Sequence, residues 1–179
     1  MKRILLFLSL FTLAFLLFLS AESLASKNEE VKQEDFQAFI EEFLVRRTSF
    51  LTENPQTFTL LQSKNGLIQE STELFNFEKS AVEELERMKH SIKSQGEVYT
   101  DTSTKINIRN FDLNDDTIII KVEEYTELNY KKATGEEPGH TAWFSEREFI
   151  FNKSSEGNWE LVSQKLVNAK EPVPLNEPI

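Results

Sequence analysis

The stretch "INIRNFDLNDDTIIIKVEEYTELNY", Ile106 to Tyr130, decides the fold class. Ile106 and Ile108 alternate with Asn107 and Arg109, and Ile118, Ile120 and Val122 alternate with Lys121 and Glu123. A period of two sends successive side chains to opposite faces, so each run predicts a half-buried strand. Asn114-Asp115-Asp116 between them is turn chemistry, and the two runs together predict an antiparallel hairpin.

The same pattern continues toward the C-terminus. Thr141 to Phe151 predicts a third strand and Trp159 to Val167 a fourth. Thr134 to Gly139 and Ser154 to Gly157 supply the polar turns, so the four strands predict an antiparallel meander. Toward the N-terminus the period changes. Phe36, Phe39, Ile40, Phe43, Leu44 and Leu51 recur at helical spacing between Gln33 and Thr52, with Glu34 and Asp35 at the end where acids suit the helix dipole. Asn54-Pro55 predicts the start of a short helix that carries Leu60 and Leu61 and stops at Asn65-Gly66. Leu67 to Ser94 predicts a longer helix with Leu74, Ala81, Val82, Leu85, Met88 and Ile92 as its buried stripe, ended by Gly96. Helices followed by strands predict an α+β domain, with the N-terminal helices packed on a twisted, mainly antiparallel four-stranded sheet.

The first residues read as an address. Lys2 and Arg3 precede an apolar run from Ile4 to Leu19, and Ser23-Leu24-Ala25 presents small residues for cleavage after Ala25. The run is shorter than the ~20 residues of a spanning helix. The expectation is therefore a signal peptide at residues 1–25, a secreted, extracellular or envelope-associated chain, and no stable membrane span after cleavage. The chain has no cysteine, which excludes a thiol-linked lipid anchor and any disulfide. Removing residues 1–25 from the 179 leaves 154, enough to bury ~68–70% of the unfolded surface in one domain without staples. That domain is expected at residues 26–167. The mature chain, residues 26–179, loses two basic and one acidic residue with the signal and carries −11 rather than −10. So negative a chain repels phosphate, which argues against nucleic acid and anionic membranes as partners. Pro172, Pro174 and Pro178 make residues 168–179 read as an extended, linker-like tail.

Chemistry-bearing patterns are sparse. His90 and His140 are the two histidines, and they share no metal-ligand spacing. Asp112, Asn114, Asp116 and Glu123 imitate a calcium loop, but Thr117 stands where the sharp turn needs glycine. No nucleophile elbow and no glycine-rich phosphate loop occurs. No catalytic residue, metal ligand or cofactor site is therefore assigned. The third strand is unusual because both parities are apolar. Trp143, Phe149 and Phe151 share one, and Phe144 and Ile150 share the other. A strand with one wet face should be polar on one side. Either a bulge or twisted end covers both faces within the domain, or the strand carries an interaction face. The interaction face is assigned to Trp143, Phe149 and Phe151, with a homodimer through the sheet as one use.

The order helix, short helix, long helix and twisted sheet resembles the cone-shaped nuclear-transport-factor-like fold, shared by ketosteroid isomerase and scytalone dehydratase. "TIIIKVEEYTELNY" (Thr117 to Tyr130), "TAWFSEREFIF" (Thr141 to Phe151) and "GNWELVSQKLVN" (Gly157 to Asn168) resemble the region before the amidase domain in secreted proteins of Gram-positive spore-forming bacteria. The resemblance spans roughly residues 34–178. It implies a signal peptide, a cone-like domain and a proline-containing linker such as "EPVPLNEP" leading to a cysteine-dependent amidase-like domain. That domain's cysteine and histidine have no counterpart here, so no catalytic role is carried over. The expectation is a secreted, non-catalytic accessory or binding module. Its partner would be an envelope component or a separate amidase. The alternatives are a small-molecule enzyme using the cone's pocket with Tyr125 or Glu127, and a structural dimeric domain.

Overall fold

A computed structural model of the protein describes residues 31–132 and 139–174. The signal segment and most of the turn before Gly139 lie outside the described residues, as do residues 175–179. The α+β class is as expected, but the sheet has five strands rather than four and is mixed. Helix α1 spans Gln33–Ser49. Strand β1 spans Ile68–Glu70, and helix α2 spans Thr72–Ser94. The strands that follow are β2 (Glu97–Asn114), β3 (Thr117–Lys132), β4 (Gly139–Lys153) and β5 (Trp159–Pro174). The sheet order is β1-β5-β4-β3-β2, and the sheet curls into a half-barrel.

Strand β2 begins well before Ile106, and the hairpin β2–β3 closes through Asp115 and Asp116, with Asn114 opposite Thr117. Asp115 takes φ 40, a left-handed conformation that Asp and Asn tolerate better than most residues. A bulge at Arg109 interrupts the β2–β3 ladder. It changes which parity of β2 faces inward, so Ile106 is buried before it and Phe111 meets the Phe36 ring after it, at 5.6 Å.

Two expectations near residues 53–71 are corrected. No helix forms after Asn54-Pro55. The chain there is extended, and the Ser63–Gly66 turn folds it back so that the Glu70 N–H donates to the Leu61 carbonyl at 2.9 Å. Gly66 supplies that turn's φ of 73, and the Asn65 carboxamide oxygen accepts from the Leu67 N–H at 3.1 Å. The long helix starts at Thr72 rather than Leu67, because Ile68–Glu70 pairs parallel to Trp159–Leu161 as the fifth strand. Ser71 caps the helix by accepting from the Leu74 N–H at 3.2 Å. Three residues are too few to display a period, which is why β1 is invisible to patterning.

Helix α1 carries the core. Phe36, Phe39, Ile40, Phe43 and Leu44 are buried against the inner face of the sheet. Phe36 and Phe39 meet Phe151 edge-on at 5.0 and 6.1 Å, and Phe43 meets Phe149 at 6.1 Å. Each such side chain contributes about 1.5–3 kcal/mol by burial. Arg46, from the last turn of α1, is also buried. Its guanidinium makes two hydrogen bonds to Glu70, at 2.7 and 2.8 Å, and a third to the Thr59 carbonyl at 2.6 Å. It also lies over the Phe58 ring, 4.4 Å from the centroid. One side chain thereby ties β1 and the extended segment to α1.

Candidate functional site

The inner face changes character along β3. Ile118, Ile120 and Val122 point at the helices, and the same parity then presents Glu124 and Thr126, all buried. Their partners across the ladder are Phe151, Phe149, Arg147, Ser145 and Trp143. The uninterrupted β3–β4 register therefore sets Ile118 and Ile120 against Phe151 and Phe149 and Glu124 against Ser145, with Val122 facing Arg147 and Thr126 facing Trp143 on either side of Glu124.

At the polar end Glu124 is the hub. Its carboxylate accepts from the Ser145 hydroxyl at 2.6 Å, from the Thr126 hydroxyl at 2.8 Å and from the Arg147 Nε. Thr126 also meets the Thr104 hydroxyl of β2 at 2.9 Å. Arg147 Nη1 donates to the Gln164 carboxamide of β5 at 3.0 Å, and the Gln164 Nε2 donates to Glu78 of α2 at 3.1 Å. Glu78 in turn faces Arg47 of α1, with Nε and Oε2 3.7 Å apart. Six elements thus share one polar chain. Burial by itself pushes the Glu124 carboxyl up. The Arg147 guanidinium and the three donors outweigh burial and hold it below the ordinary carboxylate range. A carboxylate held ionised and saturated with donors suits electrostatic support rather than proton transfer near neutral pH. Arg47 is pushed the other way. Burial lowers its pKa more than Glu78 restores it, with Arg147 lowering it further.

The outer face of the sheet offers a second arrangement. Glu123 and Glu146 stand opposite each other in the ladder, and Arg109 bonds Glu123 at 2.6 Å. A cleft of about 170 Å³ is lined by Glu123, Glu124, Phe144, Ser145, Glu146 and Asn168. A neighbouring cleft of about 250 Å³ shares Glu123 and Glu146 and adds Arg109, Lys121 and Val167. Phe144 is 44% exposed and leans on Tyr125, ring centroids 4.9 Å apart. Val167 occupies a bulge in β5 and is 55% exposed.

These positions correct the interaction face. Phe149 and Phe151 are both 0% exposed and belong to the core under α1. Trp143 is half-buried on the same inner face. The exposed aromatic of β4 is Phe144, of the opposite parity. The β3–β4 register contains no bulge, so the double apolar pattern reflects one dry face and one exposed ring. Tyr125 and Glu127 are half-buried on the outer face and do not join the Glu124 cluster. Residues 168–174 are also not linker. They continue β5, with Val173 opposite Ala142 and Pro174 opposite Thr141. Strand β1 pairs only with Trp159–Leu161, so among the described residues the later part of β5 has no strand on its other side and admits proline there. Among the described residues no His, Cys, Asp or Glu side chains gather as a metal site of three ligands, and no helix is long and apolar enough to cross a membrane. Sequence reasoning passed over Glu124, Arg147, Glu78, Gln164 and Arg47. Glu124 carried a usable signal, since alternation from Ile118 already sends it inward.

No family model and no curated protein matches the chain. Among solved structures, the intermembrane space region of chloroplast protein ARC6 aligns over 48% of this chain and 67% of that one, with 10% identity and a TM-score of 0.30. A score that low assigns neither a fold family nor a function.

Proposed function

We propose that the protein is a secreted, non-catalytic accessory module that binds a cell-envelope component or a separate amidase through the outer face of β3, β4 and β5. The observation that carries this reading is the exposed Phe144 ring beside two adjoining clefts that share Glu123 and Glu146. An exposed aromatic flanked by polar groups is the composition of binding hot spots. The signal-like N-terminus and the resemblance to the region before an amidase domain favour an envelope partner. The test is co-sedimentation of the purified protein with isolated cell-wall material, together with a binding titration against the separately expressed amidase. One of the two should capture the wild type, and Phe144→Ala should weaken that binding at least about fivefold while leaving the fold intact. Failure to bind either, or binding unchanged by Phe144→Ala, overturns the reading. Sedimentation velocity separates the competing occupant, because a self-associating sheet would give a dimer that Phe144→Ala dissolves.

A further inference from the structure

Helix α2 is 23 residues long, yet only Leu74 and Glu78 are buried. Phe77 is 66% exposed and Met88 46%, while Ala81, Val82, Leu85 and Ile92 are half-buried. The helix is held near its start by Glu78, which accepts from Gln164 of β5. Near its end Lys89, Ile92 and Lys93 close a small cleft with Val98 and Tyr99 of β2. It is bounded by the Ser71 cap and by Gly96, whose φ of 87 suits a joint between helix and strand. Glu78 joins this lightly packed strap to the polar cluster of the inner face through Gln164 and Arg47. A segment with few buried apolar groups opens at low free-energy cost relative to the core.

Arg47 marks what the covered face is built to hold. Its Nη1 is buried and has no hydrogen-bond partner among the described residues. Its Nε reaches Glu78 only at 3.7 Å, and its charged neighbours are Glu78, Arg147 and Glu124. The Arg47 side chain is 28% exposed overall, but a buried guanidinium nitrogen without a partner is uncommon and calls for a ligand or a strain role. When α2 lifts, Glu78 leaves with it. The Arg47 Nε and Nη1 and the Gln164 Nε2 then share one region with no acceptor of their own.

We propose that the face under α2 is a carboxylate-binding site, with Arg47 and Gln164 as its donors and the Glu78 carboxylate as the internal occupant that keeps α2 closed. A small carboxylic acid competes with Glu78 for the same donors and shifts α2 toward the open state. This inference stands on the inner face and does not depend on the outer-face reading above.

The test uses Glu78→Ala, which removes the internal carboxylate. Thermal unfolding is followed in sodium acetate, in sodium chloride of equal ionic strength, and in acetamide. At 100 mM, acetate should raise the Tm of Glu78→Ala by about 3 °C over chloride, acetamide should not, and Arg47→Met/Glu78→Ala should lose the gain. Equal effects of acetate and chloride, or a gain that survives in the double variant, overturn the proposal. Hydrogen exchange on the wild type keeps the test open even where Glu78→Ala fails to fold. Amides of Thr72–Ser94 should exchange at least about tenfold faster than those of Gln33–Ser49, and faster still in acetate. Exchange of both helices at one common rate overturns the idea of a strap.

Discussion

The two helices are alike in sequence and unlike in the molecule. Both show apolar residues at helical spacing, and α2 is the longer. Yet α1 buries five large apolar side chains against the sheet, while α2 buries Leu74 and little else that is apolar. An apolar stripe says which side of a helix turns from water. How much of it is covered depends on what the rest of the chain supplies. For α1 that is a floor of Ile118, Ile120, Phe149 and Phe151. α2 meets β5 and β2 at the rims, touches α1 through Glu78 and Arg47 and stacks Phe75 on Phe58, and where Glu78 reaches the sheet the floor has turned polar.

The contrast can be broken most severely from inside α1. Arg46→Ala should cost about 3–5 kcal/mol, because it leaves the buried Glu70 carboxylate without its cation. Urea unfolding measures this, and a loss below about 1 kcal/mol would show that the pair does not anchor β1. Phe43→Ala should cost a similar ~3–5 kcal/mol through the cavity left against Phe149, whereas Leu85→Ala in α2 should cost less than about 1 kcal/mol. Equal losses at these two positions would erase the distinction between the helices.

A smaller effect sharpens the contrast between the floors. Glu124→Gln should cost about 1.5–3 kcal/mol at pH 7, the range for hydrogen bonds to a charged group. In the fold Glu124 sits below its ordinary pKa, so its contribution is complete above the unfolded value of about 4.3 and fades as pH falls through the lower folded value. The advantage of wild type over Glu124→Gln should therefore stay constant from pH 7 to about 5.5 and shrink below about pH 4. An advantage that grows on acidification would reverse the sign assigned to Glu124. The least change is expected at Met88→Gln, where the side chain is 46% exposed, within about 0.5 kcal/mol by thermal unfolding.

The hairpin, the long strands and both helices were legible because each repeats its period often enough to be read. The sites were legible only in part. Alternation along β3 already sent Glu124 inward, but nothing in the spacing announced its partners. Arg147, Gln164, Glu78 and Arg47 lie on four other elements, and only the sheet register and the path of α2 bring them together. The same holds for the outer face. Two parities of apolar residues in β4 could not say which one was core until α1 was seated on Phe149 and Phe151.

By itself the sequence determined the α+β class, the face β3 turns inward and the turn at Asp115, because these follow from local periods and backbone preferences. Tertiary structure decided the rest. It made Ile68–Glu70 a strand by placing it beside Trp159, and it kept residues 168–174 in the sheet by giving them β4 to pair with. It also left α2 half uncovered. In each case the deciding term is a contact between residues far apart in the chain, which no local pattern encodes.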